Sequence, residues 1–153
     1  MQIKRPLHKF IGAGLAAVIY SLSMTPVLAD GTQVTVWKTP TCGCCSKWVD
    51  YLSERGFEVS VNNLDDLSQV KRKLGLTDPS LHSCHTAQIE NYVIEGHVPV
   101  SDIRRLLSER PDAVGLTAPG MPMLSPGMNS IKPKDYDVLL FNKEQNTKVF
   151  SSH

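Results

Sequence analysis

Three of the four cysteines in this 153-residue chain fall within four positions, Cys42-Gly43-Cys44-Cys45. The fourth, Cys84, lies in His82-Ser83-Cys84-His85. Thiols this close suit two chemistries. A C-x-x-C pair, here Cys42 and Cys45, can open and close a disulfide and exchange it with another protein. Thiolates with imidazoles beside them can instead hold a soft metal ion, Cu(I) first and then Zn or similar ions. Both uses need the thiolate rather than the thiol. A third use is purely structural, with Cys42, Cys44 and Cys45 as disulfide partners of one another or of Cys84.

The elements around the cluster decide how the thiols are presented. Gln33 to Lys38 reads as a strand, with Val34, Val36 and Trp37 supplying β-favouring side chains. Ser46 to Arg55 reads as a helix with Trp48, Val49 and Leu52 on its apolar face and Gly56 as its stop. Phe57, Val59 and Val61 alternate as a second strand does. Asp65 or Asp66 can cap a second helix with inner face Leu67, Val70 and Leu74. Ile89 to Glu95 reads as a third strand, Gly96-His97-Val98-Pro99 as a turn, and Ser101 or Pro99 as the start of a third helix using Ile103, Leu106 and Leu107. A Gly/Pro-rich segment, residues 115–133, precedes a hairpin of Val138–Phe141 and Thr147–Phe150. A strand–helix–strand start implies a right-handed parallel crossover. The C-x-x-C pair then falls between first strand and first helix, where a thioredoxin-like fold carries its cysteines. The expected fold class is therefore α/β, a thioredoxin-like three-layer sandwich with a mixed sheet and a C-terminal loop and hairpin extension.

That placement is chemically useful. A helix N-terminus offers unpaired N–H groups and partial positive charge, which stabilise thiolate. In thioredoxin-like proteins a cis-proline segment usually faces the motif. The matching stretch here, Ser83-Cys84-His85-Thr86-Ala87, has Cys84 and no proline, so Cys84 is expected to face Cys42 and Cys45. The expected metal donors are Cys42, Cys45 and Cys84 first, then Cys44 and His97, then His85 and the methionines Met121, Met123 and Met128. These three are the only methionines after residue 29 and lie within eight residues of one another. By default they are packing residues. Trp37 and Trp48 read as core, His82 as a surface side chain and His153 as solvated.

The beginning of the chain suggests a compartment. Lys4, Arg5 and Lys9 precede an apolar run, about Phe10 to Leu22, which ends near Val27-Leu28-Ala29. This is the pattern of a secretory signal peptide. The run is shorter than the roughly 20 residues that span a bilayer. Cleavage after Ala29 divides the chain into a signal peptide, 1–29, and one domain, 30–153, which is soluble, exported and free of the membrane. The periplasm is the expected destination. The remaining domain has 13 basic and 15 acidic residues, and no basic concentration suited to nucleic acid.

Four segments together carry a family resemblance. They are Val34-Thr35-Val36-Trp37-Lys38-Thr39-Pro40-Thr41-Cys42-Gly43-Cys44-Cys45, Ser83-Cys84-His85-Thr86-Ala87, Tyr92-Val93-Ile94-Glu95-Gly96-His97-Val98-Pro99 and Pro119-Gly120-Met121-Pro122. Over nearly the whole exported domain, to Phe150, the chain resembles the CopG-like family. The resemblance implies an exported thioredoxin-like protein associated with copper resistance, which binds copper through the Cys-x-Cys-Cys motif and the later cysteine. It also implies a redox role, the interconversion of Cu(I) and Cu(II). Copper ions and other periplasmic copper-handling proteins are the implied partners. The competing class is a thiol–disulfide oxidoreductase, with Cys42 and Cys45 as its redox pair.

Overall fold

The computed structural model of the chain describes residues 31–128 and 135–153. The expected signal peptide lies outside them. Strand β1 (Thr32–Lys38) leads through the cysteine cluster into helix α1 (Gly43–Ser53). Strand β2 (Phe57–Asn63) and helix α2 (Ser68–Lys73) follow. A 3-10 turn at Pro79–Leu81 precedes β3 (His85–Ile89) and β4 (Tyr92–Glu95). Helix α3 (Val100–Glu109), β5 (Gly115–Thr117), β6 (Asp137–Phe141) and β7 (Thr147–Ser152) come last.

The seven strands form one mixed sheet in the order β2-β1-β3-β4-β5-β6-β7. β1 pairs with β2, and β4 with β5, in parallel; the other neighbours are antiparallel. Alternation along the strands sends side chains to two helical layers. Val34, Val36, Ala87, Ile89, Ile94, Leu116 and Leu140 pack with Trp48 and Leu52 of α1 and Ile103 and Leu106 of α3. Val93 and Phe141 point the other way, to Leu76 and Leu81. The α/β mixed sheet expected from the sequence is thus present, with β6 and β7 as its hairpin extension.

Several local expectations are corrected. The single strand expected over Ile89–Glu95 spans the turn of a hairpin, from the last residue of β3 to the end of β4. Ile89 pairs with Tyr92, and Glu90 turns the chain at φ 52°. A glutamate in the left-handed region carries none of the usual turn signal, which belongs to Gly and Asn. The Gly/Pro-rich segment contributes β5, only three residues long yet central in the sheet. Helix α1 starts at Gly43, so Cys44 and Cys45 belong to its first turn. Trp48 is core, but Trp37 is only half-buried. His153 is not simply solvated: its ring stacks on Tyr136, and Nε2 lies 2.7 Å from Asp102 Oδ2. In α2 the inner face includes Lys71, which is buried. The cap expected from Asp65 or Asp66 is not formed: Leu67 is the N-cap residue of α2 and no side chain caps the helix, while Asp66, one residue earlier, accepts from the Ser68 N–H at 2.9 Å.

Candidate metal centre

Helix α1 begins shortly after β1 ends, so the cysteines follow the carboxyl end of this interior strand. Cys42 is the N-cap residue, no side chain caps the helix, and its first turn has no acid. The partial positive charge of the terminus is therefore left facing the thiols. Cys42 and Cys45 are joined as a disulfide; Cys44 and Cys84 are free. The Cys42 and Cys44 sulfurs are 3.5 Å apart. Cys45 is buried, with its sulfur 3.8 Å from the Cys84 carbonyl. Cys84 does face the cluster from the residue before β3.

The histidines approach Cys84 from β3 and from the turn after β4. His97 Nε2 lies 3.2 Å and His85 Nδ1 3.4 Å from Cys84 Sγ. Both rings are fully buried and meet edge to face at 5.0 Å. Trp48 closes the other side of His85, with ring centroids 4.4 Å apart, and donates its indole N–H to Val98 O at 3.0 Å. His97 Nδ1 is 2.6 Å from Pro126 O and must donate its proton there, because a carbonyl only accepts. That fixes the tautomer and leaves the Nε2 lone pair aimed at Cys84. His85 Nε2 is buried with no hydrogen-bond partner among the described residues.

Burial sets the protonation states. It pushes His85 well below its ordinary 6.5, helped by nearby His97 and Lys71, and it lowers His97 against the opposing pull of the Pro126 carbonyl. Both imidazoles are accordingly neutral at neutral pH, the form that ligates metal. Burial, together with the neighbouring Cys44, raises the Cys84 thiol to about 11. Metal entering here must displace that proton.

Two overlapping donor sets result. Cys42, Cys44, Cys45 and Cys84 form one; Cys45, Cys84, His85 and His97 form the other. Within each set the donor atoms lie within 4.8 Å of one another, and Cys45 and Cys84 belong to both. Sulfur with neutral imidazole is a soft donor set, suited to Cu(I) and Zn(II) rather than to hard cations.

The methionines stand differently. Met121 and Met123 are exposed, at 54% and 46%, and line a surface pocket with Pro119, Pro122 and Tyr136. Met128 is half-buried, one residue beyond Gly127. Gly127 has φ 87°, and a Cβ there would come within 2.8 Å of Cys44 O and 2.9 Å of Trp48 N. The loop therefore closes directly on the head of α1. Sequence reasoning missed this closing segment and the Pro126 contact; Pro126-Gly127 inside the Gly/Pro-rich stretch was the available signal.

The fold and the site define a mixed α/β protein with clustered cysteine and histidine donors at a helix N-terminus. The family model described as a protein of unknown function, DUF411, matches residues 81–128, the segment carrying Cys84, His85, His97 and Gly127. Two solved structures of a copper resistance protein CopG, form 1 and form 2, are similar to the chain at 37% identity and TM-score 0.75. Each likeness covers 81% of this chain, and 98% and 99% of form 1 and form 2 respectively. No curated protein matches. The chain belongs to the CopG-like family.

Proposed function

We propose that this is an exported copper-binding protein that contributes to copper resistance, and that it holds Cu(I) through Cys42, Cys44, Cys45 and Cys84 with His97 and His85. The observation that carries this reading is the pair of donor sets sharing Cys45 and Cys84, with both imidazoles neutral and one aimed by Pro126. Thiolates give affinity for Cu(I), and the thioethers of Met121, Met123 and Met128 would add weaker soft contacts. The relatives named for copper resistance support the choice of copper. The periplasm, reached after removal of residues 1–29, is the proposed compartment, with copper ions and other copper-handling proteins there as partners. Among the described residues no helix is long and apolar enough to cross a membrane. We read the fold as thioredoxin-like, on the strand order β2-β1-β3-β4 with a C-x-x-C at the β1–α1 junction.

The Cys42–Cys45 disulfide favours a redox component. Oxidation of these two thiolates to the disulfide releases two electrons, enough to reduce two Cu(II) to two Cu(I). The same disulfide keeps a second reading in view, a thiol–disulfide oxidoreductase using Cys42 and Cys45. Anaerobic Cu(I) titration of the reduced domain, with metal analysis and thiol counting, tests the main reading. Retained Cu(I) with loss of titratable thiols supports it; no retained copper, with strong reduction of a protein disulfide, assigns the chain to the second.

A further inference from the structure

Behind the donor residues, on the other face of the sheet, lies a buried polar set that the metal chemistry does not use. Thr86 of β3 and Glu95 of β4 are register partners, and both are fully buried. Their neighbours in the strands, Ala87 and Ile94, face the α1 layer, so Thr86 and Glu95 face α2. From α2, Lys71 reaches between them and is only 5% exposed. Its ammonium donates to Thr86 Oγ1 at 2.9 Å, to Ser83 O at 3.3 Å and to Glu95 Oε1. These three acceptors use all three of its protons. Thr86 Oγ1 in turn donates to Glu95 Oε2 at 2.7 Å, and the Ser83 N–H donates to Glu95 Oε1 at 2.5 Å.

The consequence falls on Cys84 and His85. Ser83, just before them, has both backbone groups held by this set. Thr86, just after them, has its side chain held by it. Ser83 is fixed from a third side as well: its hydroxyl donates to Gly120 O, and it packs against Gly96, where a Cβ would come within 2.6 Å of Ser83 Cβ. The two donor-bearing residues are thus clamped at both ends by groups that point away from the metal site. Hydrophobic side chains in place of Lys71 and Glu95 could fill the same volume, and a buried ion pair is weak evidence for stability as such. Its hydrogen bonds to the Ser83 backbone are what an apolar pair could not supply.

We propose that Lys71, Glu95 and Thr86 are positioning residues for the metal centre, holding the Cys84–His85 backbone so that the Cys84 sulfur stays within reach of Cys45 and His97. The proposal rests on the copper-binding reading for its second readout only. The test uses the exported domain with the Cys42–Cys45 disulfide intact and follows alkylation of Cys84 by peptide mass mapping, which needs no copper. In Lys71→Met/Glu95→Gln both charges leave together. A Leu106→Val variant, in the core beneath α3, provides a destabilised control compared at equal distance below its melting temperature. The expected result is Cys84 alkylation at least about fivefold faster in the double variant and unchanged in the control. Cu(I) affinity of the reduced protein should fall about tenfold in the double variant alone, with an altered thiolate-to-copper ultraviolet band. Thr86→Val, nearly isosteric, carries the same test should the double variant fail to fold, with about a twofold rise in alkylation. Alkylation rates equal to the control in whichever variant folds overturn the proposal. Wild-type protein that retains no Cu(I) overturns the copper reading, while the alkylation comparison still decides the clamp.

Discussion

Removing one sulfur from this site should have an effect that depends on how many donor sets it serves. Cys84 belongs to both sets and Cys44 to one. Both are free and half-buried, so serine at either position opens no deep core cavity. Loss of one soft donor from one set is taken as about tenfold in affinity, ~1.4 kcal/mol. Cys44→Ser should then weaken Cu(I) binding about tenfold. Cys84→Ser should cost about a hundredfold, ~2.8 kcal/mol, because each set loses a member. The difference is sharpened by what stands beside Cys84: His97 Nε2 at 3.2 Å and His85 Nδ1 at 3.4 Å, two imidazoles left without their sulfur neighbour. Competition of the reduced proteins against a coloured Cu(I) chelator under nitrogen measures both. An affinity loss in Cys44→Ser equal to or larger than that in Cys84→Ser would refute the sharing of donors between sets.

Reduced, metal-free protein should reduce insulin only weakly, and stoichiometric Cu(I) should abolish that activity; strong reduction persisting with copper bound would favour the oxidoreductase. Gly127→Ala should lower unfolding free energy by about 1–3 kcal/mol, the usual cost of a non-glycine residue held in a rarely populated backbone region, read from urea midpoints. The pH dependence of the apoprotein follows from the shifts at the site. His85 and His97 are depressed from 6.5, so their contribution is intact above that pH and is lost as pH falls, and the urea midpoint should drop between pH 7 and pH 5. Cys84 is raised from 9.0 to about 11, so its contribution is intact below 9.0 and is lost as pH rises through about 11. A flat profile over both windows would contradict the burial assigned to these groups. Mass spectrometry of protein from a periplasmic fraction should find Asp30 at the amino terminus; an intact Met1 on cytoplasmic protein would remove the proposed compartment.

Legibility in the sequence followed side-chain type. Val34, Val36, Trp48 and Leu52 announce β1 and α1 because apolar spacing matches the element's period. The gathering of Cys84 toward Cys42 and Cys45 was readable from topology alone, since β1 and β3 are neighbours. His85 and His97 were named as donors from sequence proximity to Cys84 and to a turn, but their burial and fixed tautomer depend on Trp48 and Pro126, distant in sequence. The β3–β4 turn was masked because Glu90 takes the left-handed position, leaving Asn91 as its one turn-type residue. Lys71 was passed over because a lysine scores as surface. It nevertheless falls on the same helical face as Leu67 and Leu74, and the Glu95 carboxylate, with Thr86 Oγ1 and the Ser83 carbonyl, makes its burial tolerable.

The Cys42–Cys45 bond has a consequence for how the molecule would meter its cargo. A sulfur committed to a disulfide is no longer a thiolate and is a poor ligand. Since Cys45 serves both donor sets, one covalent bond weakens both at once: the first keeps Cys44 and Cys84, the second Cys84, His85 and His97. Affinity for a soft metal would then fall at both sets together. In the proposed oxidising compartment the empty protein would stay in this weaker state until a reductant opened the bond, and copper already seated would shield the thiolates from closing. On the copper-binding reading such a molecule would behave less like a sponge that fills in proportion to supply than like a latch, whose position records which arrived first, the metal or the oxidant.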